Sequence, residues 1–242
     1  MRHLQLMQRA RGVVKVYVGQ TRSRKLIAEL SRLGFGEMTQ PYEYPPRRLP
    51  WALDNGAFAD HRKGRPVNVE RLLTVARKAS ARQRPDFVVA PDVIAGGRSS
   101  LRLSLRWRDA IADLGLPVAL VVQDGMSRKD VEPHLDKFDV LFVGGTLKWK
   151  IRTGASWATL ARELGKSCHV GRVGTRKRVM WSKRIGANSI DSCLPLWSRE
   201  KLDTFVHALG VQKQLDLFIS MDQNTDLGCA QVRCVQSDTV DA

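Results

Sequence analysis

Short apolar runs alternate with longer amphipathic segments along most of the chain. Most of the apolar runs are continuous rather than alternating, which is typical of parallel strands covered on both faces. They predict eight strands, at Val13–Val18, Phe35–Thr39, Trp51–Asp54, Asp86–Pro91, Pro117–Gln123, Asp139–Val143, Cys168–Val173 and Ser189–Asp191. The segments between them have apolar residues at helical spacing. They predict helices at Arg22–Leu33, Val69–Arg82, Ser99–Leu114, Arg128–Leu135, Trp157–Leu164, Arg176–Ile185 and Arg199–Leu209.

The order of these elements predicts an α/β fold, a single-domain (β/α)8 TIM barrel over residues 1–210. Repeated strand–helix units favour a closed barrel, and a chain of 242 residues is close to the typical barrel length of about 250. A doubly wound open sheet is the competing architecture, and Phe35–Thr39 is the strand on which the distinction depends. Residues 211–242 are polar and predict a partly disordered C-terminal extension.

The chain is strongly basic, with 40 Lys and Arg against 24 Asp and Glu and a net charge of +16. The last 32 residues contain two basic and five acidic side chains, so residues 1–210 alone carry +19. A protein with this charge attracts polyanions, and nucleic acid is the commonest of them. No apolar run approaches the roughly 18 residues that span a bilayer, so no membrane partner is expected.

The four cysteines are too dispersed for a disulfide framework, and the start of the chain lacks the apolar stretch and cleavage site of a signal peptide. We therefore expect a cytoplasmic protein, or one in the host-cell cytoplasm if a phage encodes it. Cys229 and Cys234 are spaced C-x4-C, without a nearby histidine or any CxxC pair. We expect free thiols and no metal site, although the spacing alone leaves zinc at this pair open.

Polar residues and glycines gather at the predicted carboxyl ends of the strands, where the active site of a parallel barrel lies. Asp54, Asp92 and Asp191 each stand at such an end, and Gln123 and Gly144-Gly145 stand at two more. A single aspartate there could simply cap the next helix, but the whole set is harder to explain as caps. Two well-placed carboxylates support displacement at a sugar carbon, one as nucleophile and the other as proton carrier.

At these strand ends the chain resembles the guanine transglycosylase superfamily, whose members exchange guanine for a 7-deazaguanine in tRNA or in DNA. The family motifs read D-S-G-G-F, V-Q-G, G-G-L, G-V-G-T and F-D-C-V-x-P. Their counterparts here, in family order, are Asp54–Phe58 (DNGAF), Val122–Gly125 (VQDG), Gly144–Leu147 (GGTL), Arg172–Thr175 (RVGT) and Ile190–Pro195 (IDSCLP). Each match is weak alone, and the resemblance rests on the ordered set, which extends over about 60% of the chain.

The resemblance implies a pentosyltransferase that exchanges bases without a cofactor. It implies that Asp191 attacks C1′ of the target nucleoside and that Asp54 is the general acid/base. Asp92 and Gln123 would bind the edge of the base, Phe58 would stack on one face, and backbone donors near the Gly-Gly turn would bind its carbonyl. The full set of implied base-binding residues is Asp92, Gln123, Gly144, Gly145, Thr146, Phe58 and Asn55.

Departures from the family motifs favour DNA over tRNA as the substrate polymer. The tRNA enzymes carry a zinc site, C-x-C-x-x-C with a downstream histidine, after the nucleophile strand, and here only Cys193 lies near. The chain is also shorter than those enzymes, as in the compact, phage-type DNA-modifying branch. A tRNA enzyme remains an alternative, as do a non-catalytic nucleic-acid-binding barrel and a barrel hydrolase that releases a base without inserting another.

Basic side chains near the predicted rim are candidates for contacts with phosphates. They are Lys148, Lys150, Arg172, Arg176 and Arg178. Trp149, between two of them, is a candidate for stacking on a base. His169 is expected to be a satisfied core histidine rather than a ligand. The sequence leaves the oligomeric state, the target sequence and the particular 7-deazaguanine open.

Overall fold

The structure is a computed structural model that describes residues 14–43 and 49–210. Its eight strands are β1 Lys15–Val18, β2 Gly36–Thr39, β3 Trp51–Leu53, β4 Val88–Val89, β5 Val118–Val122, β6 Val140–Val143, β7 Ser167–Val170 and β8 Ser189–Asp191. All pair in parallel and in chain order, and β8 pairs with β1 to close the barrel. The predicted (β/α)8 barrel is confirmed, with β2 as its second strand. The predicted extension, including Cys229 and Cys234, lies outside the described residues.

Helices surround the barrel, and side-chain caps define where several of them begin. The described helices are α1 Arg24–Arg32, α2 Ala57–His61, α3 Val69–Ser80, α4 Arg98–Ala112, α5 Arg128–Val131, α6 Leu147–Glu163, α7 Arg176–Arg184 and α8 Arg199–Leu209. Two 3-10 helices lie at Glu132–Lys137 and Leu194–Leu196. Ser23, Asn68, Thr146 and Thr175 each accept a hydrogen bond from the backbone N–H three residues later. This contact satisfies one of the free donors at a helix start.

Helix α6 differs most from its prediction, because it begins at Leu147 and not at Trp157. Gly154 lies inside this helix although glycine is a poor helix former. A Cβ at Gly154 would lie 2.7 Å from the Trp181 ring, so the glycine allows α6 to pack closely on α7. Trp149, in the first turn, is buried and its ring lies 6.1 Å from that of Trp157. The prediction that Trp149 stacks on a base is therefore wrong, since the ring is part of the core.

Inward-facing side chains of alternating size fill the barrel. The cluster comprises Tyr17, Ala52, Phe87, Val89, Ala119, Val121 and Val140, with Met38 and Phe142 packed against it. Gly36 shows how closely the sizes match, because a Cβ there would lie 2.8 Å from the Tyr17 ring. The members of this cluster nearest the carboxyl ends of the strands, Met38, Val89, Val121 and Phe142, form an apolar floor beneath the candidate site.

The amino end of the barrel is held by a polar cluster centred on Asp86. The carboxylate of Asp86 accepts hydrogen bonds from Lys15 Nζ at 2.6 Å and from the Tyr17 hydroxyl at 2.8 Å. Lys15 and Tyr17 belong to β1, whereas Asp86 precedes β4, so the cluster connects distant parts of the chain across the barrel. Burial and the adjacent Asp86 raise the pKa of Tyr17 well above its ordinary value.

We predict that Asp86→Ala lowers the free energy of unfolding by about 3 kcal/mol, because Lys15 and Tyr17 would lose a shared, partly buried acceptor. Chemical denaturation measures the change. Asp109→Ala is the matched control, because Asp109 is exposed and, among the residues that the structure describes, its side chain pairs with its neighbour Arg108 alone. The control should change the free energy by less than about 0.5 kcal/mol. Equal losses from the two variants would contradict the assignment.

Candidate active site

A cavity of about 540 Å³ opens at the carboxyl ends of the strands. All nine residues predicted for catalysis and base binding line it, although they come from five separate segments of the sequence. Of the five predicted phosphate contacts, Lys150, Arg172 and Arg178 also line the cavity. Lys148 and Arg176 are exposed and do not line it. The structure therefore brings the predicted catalytic set together and divides the basic set into two groups.

Asp191, at the end of β8, is held by a donor on each carboxylate oxygen. Its Oδ1 lies 3.0 Å from His169 Nε2, and its Oδ2 accepts from the Arg172 backbone N–H at 3.0 Å. The side chain is 19% exposed, so the fixed carboxylate still reaches the cavity. Both oxygens have a defined orientation, which a nucleophile requires.

His169 is the residue of the candidate site whose contact with Asp191 sequence reasoning missed. It is fully buried in β7, as predicted for a core histidine, and its ring lies 4.3 Å from that of Phe142. Because an ionised carboxylate only accepts hydrogen bonds, the contact with Asp191 places the hydrogen on Nε2. Nδ1 then faces the Ser189 hydroxyl at 2.9 Å. The signal that could have found this contact is the alternation of inward-facing side chains along the adjacent strands β7 and β8. His169 and Ser189 are paired across these two strands.

Asp54, at the end of β3, is a carboxyl group poised for proton transfer. Burial raises its pKa to about 7, and the negative charges of Asp191 and Asp92 add to this effect. A hydrogen bond of 2.9 Å from the Asn55 N–H to Oδ1 acts in the opposite direction. Asp54 is therefore close to half-protonated at neutral pH, which suits a general acid/base.

Asp92 is buried at the end of β4, where two amides hold it. Asn55 Nδ2 donates to its Oδ1 at 2.9 Å, and Gln123 Nε2 donates to its Oδ2 at 3.1 Å. Burial raises the pKa of Asp92 to about 6, whereas these hydrogen bonds and the charge of Arg172 lower it. The carboxylate is thereby oriented at the wall of the cavity.

The amides of Asn55 and Gln123 are occupied by the protein itself. Asn55 also donates to Ala90 O at 2.8 Å and accepts from the Ala57 N–H at 2.8 Å. Gln123 Nε2 also lies 2.7 Å from Ser100 Oγ, and its Oε1 accepts from the Ala95 N–H at 2.7 Å. In this arrangement both side chains position Asp92 and the following loop. The prediction that they bind the base directly requires these bonds to exchange.

The Gly-Gly turn after β6 is fastened by Asp124. This carboxylate accepts from the Thr146 N–H and from the Thr146 hydroxyl, each at 2.7 Å, and these bonds lower the pKa of Asp124 although burial raises it. Gly144 N–H donates to Val122 O at 2.9 Å. Within the described residues the Gly145 N–H has no such partner. Of the backbone donors predicted for a base carbonyl, Gly145 is therefore the one that is available.

Arg172 connects three parts of the rim. It is one of two described non-glycine residues with a left-handed backbone, at φ 56°. Its N–H contacts Asp191, its guanidinium donates to Gly145 O at 3.1 Å, and the same group lies 5.2 Å from the Phe58 ring centroid. Phe58 is 46% exposed at the mouth of the cavity, where a planar ligand can stack on it.

Lys150 is buried in the cavity wall rather than displayed on the surface. Its ammonium donates to Gly171 O. Burial and the charges of Arg172 and Arg178 lower the pKa of Lys150 to about 8, whereas Asp191 raises it. The cavity is thus lined by four carboxyl groups, those of Asp54, Asp92, Asp124 and Asp191, and by three cationic groups.

Comparison with protein-family models and with curated proteins finds no match to this chain. Among the described residues, no group of three or more His, Cys, Asp or Glu side chains is placed to hold a metal ion. No helix in the same residues is long and apolar enough to cross a membrane. The arrangement itself supports nucleophilic attack by Asp191 and proton transfer by Asp54.

We predict that Asp191→Asn lowers the pKa of Asp54, because the substitution removes the neighbouring negative charge that disfavours ionisation. A carboxyl carbon NMR titration of ¹³C-labelled protein measures the pKa in each variant. Asp109→Asn, an exposed change of equal charge, should leave the Asp54 titration near pH 7. An Asp54 that titrates near 4 in the unsubstituted protein would contradict the proximity argued here.

Proposed function

We propose that this chain is a guanine transglycosylase-like enzyme that replaces guanine in a nucleic acid, DNA in preference to tRNA, with a 7-deazaguanine. The observation that carries the proposal is a pair of carboxyl groups with different properties in one cavity. Asp191 is fixed by two donors, and Asp54 has a pKa near 7. Pairs of carboxyl groups whose environments differ in this way can divide nucleophilic and acid/base roles.

The first half of the reaction forms a covalent intermediate. An oxygen of Asp191 attacks C1′ of the target nucleotide, and the bond from C1′ to N9 of guanine breaks with its electron pair leaving on the base. Protonated Asp54 gives its proton to the departing guanine. A pKa near 7 keeps a substantial protonated fraction at neutral pH.

The second half reverses these steps with a different base. The incoming 7-deazaguanine gives its N9 proton to the Asp54 carboxylate, and N9 attacks C1′ while the bond to Asp191 breaks. Asp191 and Asp54 then return to their starting states, so the reaction consumes no co-reactant. This balance agrees with a mechanism that uses side chains alone.

Recognition of the base is assigned to groups that remain available in the cavity. The Asp92 carboxylate accepts from the amino and ring N–H groups of guanine, and the Gly145 N–H donates to its carbonyl. Phe58 stacks on the exposed face. A base within a duplex must leave the stack first, at a cost of a few kcal/mol that these contacts offset.

The net charge of +16 supports a polyanionic substrate, and the absence of a C-x-C-x-x-C sequence after β8 supports DNA over tRNA. The tRNA enzyme remains the second candidate, because charge does not distinguish the two polymers. A hydrolase would use the same carboxylates but release guanine without inserting another base.

We predict that Asp191→Asn abolishes base exchange, since the amide is a poor nucleophile, while nucleic-acid binding survives. The purified protein is incubated with DNA or tRNA, labelled guanine and cyano or aminomethyl 7-deazaguanine, and nucleosides are identified by mass spectrometry. Asp109→Asn is the control and should retain full exchange. Base release without insertion would indicate a hydrolase, and binding without either reaction would leave a non-catalytic barrel.

We predict that His169→Phe lowers the rate of base exchange about 100-fold with little effect on nucleic-acid affinity, because Asp191 loses a donor that orients it. His169→Gln offers an amide N–H and should restore part of the rate. Single-turnover formation of the covalent adduct is measured beside thermal stability. Equal rates in both variants, or a rate that follows stability alone, would show that His169 does not position Asp191.

A further inference from the structure

Three cationic side chains face one cavity and together form a cationic wall, defined here as Lys150, Arg172 and Arg178. They come from the first turn of α6, the end of β7 and the first turn of α7. Arg172 and Arg178 both lower the pKa of Lys150, so the three charges lie within electrostatic range of one another. Like charges in proximity repel, and such a cluster is unfavourable unless an anion balances it.

Among the described residues, no carboxylate forms an ion pair with this cluster, although Asp191 and Asp124 act on Lys150 from farther away. Within residues 14–43 and 49–210, none of the three cations has a carboxylate at ion-pair distance, whereas Lys15, Arg128 and Arg199 each do. The Asp191 oxygens are bonded to His169 and to the Arg172 backbone instead. The lack of a contacting anion matters most at Lys150, which is 5% exposed. Its three ammonium hydrogens have one described acceptor, Gly171 O. A buried cation with no carboxylate in contact is destabilising, so a ligand that brings an anion into contact with it is expected to bind.

The backbone of Arg172 gives independent support. Non-glycine residues rarely have φ above zero, because holding one there is energetically unfavourable. Glycine would remove that cost and keep the N–H contact with Asp191. The chain instead retains an arginine whose guanidinium lies at the cavity, on Gly145 O and beside Phe58. Strain of this kind at a cavity points to a function for the side chain.

We propose that the cationic wall binds a backbone phosphate that flanks the target nucleotide, while Asp191 attacks the C1′ of the same nucleotide. This inference rests on the proposed function, because that function places C1′ at Asp191. The Arg172 N–H contacts Asp191 directly, so its guanidinium lies within the reach of a sugar–phosphate unit. Arginine pairs with phosphate through two parallel hydrogen bonds, and lysine adds a compact charge.

The ligand chemistry suits a phosphodiester better than a protein carboxylate or a neutral base. The wall supplies up to three charges, and a phosphate has several acceptor oxygens that can bridge them. Phosphate binding would also draw the guanidinium of Arg172 away from Gly145 O and Phe58. Both groups would then be released for the base, so occupation of the wall and of the base site would be linked.

The test uses single-stranded DNA oligonucleotides with one guanine and one uncharged methylphosphonate linkage, placed immediately 5′ of the target, immediately 3′ of it, or far away. Fluorescence anisotropy measures binding without any incoming base. For the all-phosphate oligonucleotide, Lys150→Met and Arg172→Gly are each expected to weaken binding about tenfold. The loss should disappear with an uncharged linkage on one side of the target and persist when the uncharged linkage is remote.

Lys78→Met is the matched control, because Lys78 is exposed near the end of α3 and its substitution removes the same charge as Lys150→Met. It should weaken binding equally for every oligonucleotide. Arg172→Gly should also keep or raise the melting temperature, since it relieves the left-handed backbone. This variant separates loss of binding from loss of folding if Lys150→Met is poorly folded.

Coupling means that an uncharged flanking linkage removes the loss of binding caused by Lys150→Met and Arg172→Gly. The cationic wall is refuted if neither flanking linkage shows coupling while base exchange is still observed. Coupling without base exchange would retain the phosphate site and reject the proposed reaction. If the DNA oligonucleotides do not bind, the same series in RNA is used. Failure of both polymers to bind would overturn both proposals.

Discussion

Closure of the sheet between β8 and β1 fixes the position of every group in the cavity. Tyr17 pairs with Asp191, and His169 pairs with Ser189, so the register of three neighbouring strands is set at the nucleophile. Side chains alternate between the interior and the helix layer, so paired inward positions lie at similar heights in the barrel. Asp191 therefore leaves the sheet beside the buried ring of His169. Without closure, β1 and β8 would be sheet edges and this relation would be lost.

The same closure makes three aspartates chemically different. All three stand at strand ends around one cavity, and full ionisation of all three would be unfavourable. Burial and mutual repulsion raise the pKa of Asp54 to about 7 and burial raises that of Asp92 to about 6, whereas Asp191 has both oxygens bonded to donors. The charge of Arg172 opposes the rise at Asp92. The cavity thus has acidic groups suited to a sugar and a base, and basic groups suited to an anion.

The strand ends could be predicted from the sequence, because continuous apolar runs followed by Asp or Gly mark them directly. Asp54, Asp92 and Asp191 were found in this way. Side-chain partners could not be predicted, since they depend on which strands are neighbours and on register. His169 looked like an ordinary core residue, and Gln123 looked like a base-binding amide although the protein occupies its hydrogen bonds. The earlier start of helix α6 could not be predicted either, because a glycine inside a helix disfavours that assignment. The reason for Gly154, the Trp181 ring packed against it, is visible only in the structure.

Two carboxyl groups alone do not separate base exchange from hydrolysis, because both reactions would pass through the same adduct of Asp191 with C1′. The difference lies in which nucleophile Asp54 meets after guanine has left. Water needs only access, whereas a second base needs a slot that remains shaped for a planar ring. Under the proposed function Phe58 and the Gly145 N–H would supply that slot, on rim segments that other residues of the cavity hold in place. Asp124 fastens the Gly-Gly turn, and the Asn55 amide ties the loop before Phe58 to Asp92. If the proposed function holds, a rim fixed in this way would keep its shape while the slot is empty, and would favour entry of a second base over entry of water.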